Sequence, residues 1–173
     1  GESITAFRDF LREYPNTAYA NKVYALMADM YMTSRNYKAA LESLTAIQSP
    51  NPKLLQTMQY LRYQMGVDAF LQGNMPAAVQ WLTEVINHDT QASAYKTDAW
   101  YLRAEAEYRL QQYDACLADL ALYEAQPNIS ASKNRNLATY LRGYAYFNTG
   151  RMAEAEQVFR GYIAATDPND ANY

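Results

Sequence analysis

Residues 141–159, LRGYAYFNTGRMAEAEQVF, decide the fold. Gly143 and Phe147 stand at helical spacing before a break at Thr149-Gly150-Arg151, and Met152, Ala155 and Phe159 carry a second apolar stripe after it. That is the pattern of two amphipathic helices joined by a short turn. The same stretch occurs three more times. Ala155 is preceded at a near-constant interval by Cys116, Ala78 and Ala40. Twelve places before these small residues stand Ala28, Gly66, Ala104 and Gly143; eight before, Met32, Phe70, Tyr108 and Phe147; three before, Tyr37, Met75, Tyr113 and Met152; four after, Leu44, Leu82, Leu120 and Phe159. A period between about 20 and 50 residues with small residues in constant phase predicts a helical solenoid, with each unit stacking on the next.

These columns resemble the tetratricopeptide repeat family. The fourth unit matches best, through Gly143, Tyr146, Gly150, Ala155, Phe159 and Pro168. The first keeps Tyr24, Tyr31, Tyr37, Ala40 and Leu44; the second Gly66, Gly73, Ala78 and Leu82; the third Trp100, Tyr113 and Leu120. Arg103 and Arg142 depart from the family pattern, falling where it usually has leucine, and Glu107 stands where it prefers tyrosine. The resemblance implies an all-α fold, a right-handed α-α superhelix of about nine antiparallel helices. The whole of residues 2–170 reads as a single solenoid: a half repeat at 2–16, then repeats at about 21–53, 59–91, 97–130 and 136–168. The half repeat is one helix with Ile4, Phe7, Phe10 and Leu11 on a stripe. With Phe159 and Ile163 lacking a successor in the sequence, the chain reads as a fragment of a longer repeat protein, prone to end-to-end self-association.

The packing logic expects Gly66 and Ala28 on first helices to receive Ala78 and Ala40 on second helices, with Leu44, Leu82, Leu120 and Phe159 filling space toward the next unit. Cys116, in an alanine column, reads as a small packing residue. Pro- and Asn-rich clusters between units, such as 48–53, 88–93, 126–133 and 166–170, read as turns, and four extra residues per unit are expected to lengthen each first helix by one turn.

Composition excludes more than it proposes. A net charge of -3 with 15 scattered Lys and Arg argues against nucleic acid as a partner. No apolar run is long enough to insert this segment in a membrane. The one histidine, His88, has no second histidine or cysteine at ligand spacing, and no phosphate loop, nucleophile elbow or zinc motif appears. The expectation is a protein without catalytic residues, metal or cofactor.

Seventeen tyrosines point to the surface as the working part. In the family, first helices line a concave groove, and the resemblance implies groove positions at Tyr63, Tyr101, Tyr140, Tyr144, Phe70, Tyr108 and Phe147. Tyr63, Tyr101 and Tyr140 are expected to be exposed in that groove. Phe70, Tyr108 and Phe147 are expected chiefly to fill space between first helices. The lysine and asparagine clamp of chaperone-binding members is missing, so an apolar or aromatic-anchored protein or peptide segment is the expected ligand. The phrase FLREYPNTAYA at residues 10–20 is similar to repeats of bacterial envelope proteins of the outer-membrane-assembly and Tol-associated type, which implies a periplasmic or envelope location, with the cytoplasm as the alternative. The function that follows is a noncatalytic interaction scaffold; the alternative is an assembly module of a larger envelope complex acting mainly through its ends.

Overall fold

The computed structural model describes residues 1–88 and 94–166. Among them are nine α-helices and no strand: α1 (Glu2–Glu13), α2 (Ala20–Thr33), α3 (Tyr37–Thr45), α4 (Pro52–Leu71), α5 (Met75–His88), α6 (Ala94–Arg109), α7 (Tyr113–Glu124), α8 (Arg135–Asn148) and α9 (Met152–Thr166), with a short 3₁₀ turn at Ile129–Ala131. The expected turn residues 89–93 and the tail 167–170 lie outside the described residues. The chain forms two compact units, Gly1–Met65 and Gly66–Tyr173, with the boundary inside α4.

The repeat is written most clearly in the turns. At Arg35, Gly73, Gln111 and Gly150, which recur at the interval of the small-residue column, the backbone takes φ of 59, 78, 60 and 76°. Each of the four ends a first helix with the same two hydrogen bonds. The N–H of the left-handed residue donates to the carbonyl three places back, as from Arg35 to Met32 and Gln111 to Tyr108. The next N–H donates five places back, from Asn36 to Tyr31, Asn74 to Ala69, Gln112 to Glu107 and Arg151 to Tyr146, at 2.8–2.9 Å. These bonds satisfy carbonyls that a helix end otherwise orphans and turn the chain back to begin the second helix. Asn36 and Asn74 then cap that helix, each side-chain oxygen accepting from the backbone N–H of Ala39 or Ala77.

In the first unit α2 packs on α3 and α1 packs on α2. Val23, Met27, Ala28, Tyr31, Ala40, Leu41 and Leu44 are buried between them. Asn21 fastens the open end of the pair by donating to the Gln48 carbonyl and accepting from the Gln48 N–H. No residue of α1 is buried; its stripe of Ile4, Phe7, Phe10 and Leu11 is half-buried, and Arg8 donates to the Tyr31 hydroxyl.

In the second unit α5, α6, α7, α8 and α9 pack in succession, and α8 lies over both α6 and α7. Tyr101, Ala104, Cys116, Leu120, Tyr123, Ala138, Leu141 and Ala145 form one buried cluster. The glycine column is filled differently from the expectation. A methyl group on Gly66 would come within 2.8 Å of Leu82 Cδ2, and one on Gly143 within 2.6 Å of the Phe159 ring. The large residue of the second helix, rather than the small one, sits against the glycine. The expectation of one extra turn in each first helix also needs correction. Helices α4 and α6 have 20 and 16 residues, but α2 and α8 have 14. Ahead of α8 the additional residues make the 3₁₀ turn, because Ile129 packs against the buried cluster instead of continuing a helix.

Two of the four left-handed turn positions carry side chains that disfavour that conformation. Replacing Gln111 by glycine is expected to raise stability by about 0.5–1 kcal/mol, whereas Gly73→Ala should cost about 1 kcal/mol. Urea denaturation of both variants checks this, with equal midpoints counting against a shared turn geometry.

Candidate partner-binding surface

Residues Tyr140, Tyr144 and Phe147 are four and three places apart, so they share one face of α8. Tyr140 is 47 % exposed, and Tyr144 and Phe147 are exposed as well. The two tyrosine rings lie 4.7 Å apart, and the Tyr140 hydroxyl donates to that of Tyr144 at 3.0 Å. That hydrogen bond, together with the neighbouring phenol, pushes the Tyr140 hydroxyl above its ordinary pKa. Both rings meet Phe159 of α9 edge-on, at 6.1 and 5.3 Å, and Tyr140 also approaches Tyr162 at 6.1 Å. Gly143 makes this possible: without a Cβ, the Phe159 ring rises against the helix between the tyrosines. The result is an open aromatic surface with phenol oxygens at its rim, chemistry suited to anchoring an apolar segment.

The other expected site residues do not join it. Tyr101 is 6 % exposed, which corrects the expectation of groove exposure at that position. Its ring packs on Tyr123 at 5.8 Å, and its hydroxyl donates to Glu105 at 2.9 Å. Burial, and then the Glu105 charge, pushes its pKa well above the phenol range. The cause is α8, whose Ala138, Leu141 and Ala145 enter the same buried cluster as Tyr101. Tyr108 is half-buried, edge-on to Tyr113 at 5.4 Å, and its hydroxyl accepts from Asn148. Phe70 is half-buried under the Arg109 guanidinium, 4.4 Å from the ring centre. Tyr63 is half-buried and belongs to the first unit; the other six belong to the second.

Sequence reading missed a buried polar cluster between α6 and α7. Arg103 holds Asp119 with two bonds, Nε to Oδ2 at 2.6 Å and a second guanidinium nitrogen to Oδ1 at 2.8 Å, and donates a third to Thr83 of α5. Its guanidinium also lies 4.8 Å over the Trp100 ring. Glu107 is buried beside this pair, 3.7 Å from Arg103, and its Oε2 has no hydrogen-bond partner. Burial first, then the Asp119 charge and a hydrogen bond to it, raise the Glu107 carboxyl to about 8. The one signal in the sequence was the departure at Arg103 and Glu107 from the pattern of the other units. Cys116 packs nearby, and burial pushes its thiol up to about 12, so it stays an unreactive packing residue at neutral pH. His88 is exposed at the end of α5, its Nδ1 within 2.9 Å of the Glu84 carbonyl. Among the described residues no group of His, Cys, Asp and Glu is placed to hold a metal ion.

Tandem helix pairs with one turn geometry, small residues under large ones and an aromatic face are now in place. The fold is a tetratricopeptide-like helical solenoid. A family model described as tetratricopeptide repeat matches residues 129–171, the segment that contains α8 and α9. Two solved structures share the fold. The crystal structure of MamA protein aligns with a TM-score of 0.52 at 20% identity, over 92% of this chain and 79% of that one. A second crystal structure of MamA aligns with a TM-score of 0.52 at 21% identity, over 92% of this chain and 84% of that one. No curated protein matches the sequence.

The polar cluster makes stability depend on pH. Between the unfolded value of 4.5 and about 8 the folded chain keeps a proton on Glu107 that the unfolded chain releases. Folding therefore takes up a proton, and the contribution of Glu107 falls as pH rises through that window, by at most about 1.4 kcal/mol per pH unit. In Glu107→Gln the side chain keeps its size and a donor for Asp119 but no longer titrates. Denaturation midpoints between pH 5 and 8 should fall less steeply in the variant than in the wild type, and parallel curves would remove the proton from Glu107.

Proposed function

We propose that this protein is a noncatalytic scaffold that holds a protein or peptide segment on its aromatic surface. The observation that carries this reading is the exposed pair Tyr140 and Tyr144 seated on Phe159, with Phe147 exposed on the same face of α8. Tetratricopeptide-like proteins generally act as interaction modules, and the open phenols here supply rigid apolar area with little rotamer entropy to lose. No helix among the described residues is long and apolar enough to cross a membrane. The segment at 10–20 supports an envelope setting through its likeness to envelope repeats, and cell fractionation of the intact protein tests it, with a wholly cytoplasmic signal refuting the location.

Affinity capture on the immobilised protein, competed by the same chain free in solution, tests the scaffold. The Tyr144→Ala chain should compete about thirtyfold less well, a loss near 2 kcal/mol, because Tyr144 is exposed and truncation removes a surface anchor. Its urea midpoint should drop by no more than the ring contacts with Tyr140 and Phe159 supply, about 1–2 kcal/mol, well short of unfolding the chain. Undiminished competition would take the site away from this surface.

A further inference from the structure

One nitrogen of the buried polar cluster faces two carboxyl groups. Arg103 Nε carries a single hydrogen. Asp119 Oδ2, from α7, takes it at 2.6 Å, while Glu107 Oε1, one turn along α6, lies 3.7 Å from the same nitrogen. The two terminal nitrogens of the guanidinium are already engaged, one with Asp119 Oδ1 and one with Thr83 of α5. Glu107 is buried, and its other oxygen, Oε2, has no hydrogen-bond partner. One cation cannot serve both groups at bonding distance. The arrangement holds because Glu107 keeps its proton, which makes it a hydrogen-bond donor to Asp119 instead of a repelling charge.

The charges that act on Glu107 are those of Asp119 and Arg103. From α7 the Cys116 thiol also feels it. The other helices packed on α6 spend their charges elsewhere. On α5, Glu84 and His88 pair with each other at the exposed end of the helix, and Thr83 reaches Arg103 as a neutral hydroxyl. On α8, Arg142 is turned to Glu124 of α7. A proton lost from Glu107 therefore leaves a carboxylate whose nearest compensation is Arg103, four places back on its own helix.

We propose that Glu107 operates a proton-controlled latch between α6 and α7: protonated, it leaves Arg103 to fasten α7 through Asp119, and deprotonated, it takes the guanidinium for itself and releases α7. The proton goes to solvent and no covalent bond changes. This differs from a general loss of stability with pH, because α7 comes away while the other helices stay folded, and it does not depend on what the aromatic surface binds. Release reaches α8 too, since Leu120 and Tyr123 of α7 belong to the buried cluster that α8 covers. The closed form holds the carboxyl at about 8 and the open form returns it toward its ordinary 4.5. Opening therefore releases a proton, and its equilibrium constant rises with pH between these values, by up to about tenfold per unit, then levels off.

Cys116 reports the opening. It is the single cysteine of the chain and wholly buried, on α7 one turn before Asp119. Labelling of the 173-residue chain by a maleimide is followed from pH 6 to 9 in the wild type and in Glu107→Gln, whose amide can donate to Asp119 at every pH. The ratio of the two rates cancels the pH dependence of the thiol itself. It is expected to rise up to about tenfold per pH unit as far as about 8 and then flatten. The wild-type rate should change little in low urea, as a local opening does, and Asp119→Asn, which removes the rival charge, should abolish the pH dependence that Glu107 confers. A flat ratio, no labelling at pH 8, or a pH dependence that survives Asp119→Asn overturns the proposal. So does a labelling rate as steep in urea as global unfolding, since α7 would then open only with the whole unit.

Discussion

The close approach of a second helix to the glycine or alanine of the first is the constraint on which the architecture turns. At Gly66 and Gly143 the space a methyl group would need is taken by Leu82 and Phe159. At Ala28 and Ala104 the residue is all but inaccessible. Helices brought this near bury large side chains at interior density, and at roughly 25 cal/mol per Å² that burial outweighs the weak helix propensity of the glycines. The left-handed turns serve the same contact. They set the second helix antiparallel to the first within a short turn, so that the positions twelve places before and four places after each small residue can meet.

The periodic part of this arrangement was legible. Breaks read at 34–36, 72–74 and 149–151 are the observed ends of α2, α4 and α8, because a turn is a local matter of backbone conformation and of the groups nearest it in the chain. Non-local matters were not. Tyr101 and Tyr140 occupy the same column, yet one is interior and the other exposed, since what covers a first helix is the following repeat and not its own sequence. The expected meeting of small with small failed for a similar reason. Periodicity places Ala78 and Leu82 on one face of α5, but which of them reaches Gly66 depends on the crossing of two helices, which a column of residue types does not encode.

The Arg103 cluster shows how a polar residue enters such a core. Arg103 is in a leucine column, and its cost is met by Asp119 from the facing helix, Thr83 from the preceding one and the face of Trp100. Two carboxyls beside one guanidinium cannot both ionise cheaply in that space, and the less well-paired of them, Glu107, keeps its proton. The cluster does not recur. A step of one repeat replaces Asp119 by Val158 and Glu107 by Tyr146.

That substitution decides where the second arginine of the column goes. Arg142 has no acid across from it on α9, so it reaches back to Glu124 on α7. Arg103 therefore locks the two helices of its own repeat together, with Thr83 of the preceding one as a further acceptor, whereas Arg142 pairs with an acid of the repeat before. The Arg142 pair is partly open to solvent and adds little to stability. Its effect is on register. A helix of the α8 sequence laid on α8 and α9 would find Ile163 in place of Glu124 and Leu137 in place of Asp98, and each loss would leave a polar group unpaired against apolar surface. Repeats that share a backbone and a set of small-residue contacts are in this way kept from being interchangeable, and the order of the helices in the second unit is specified by the few positions at which the columns disagree.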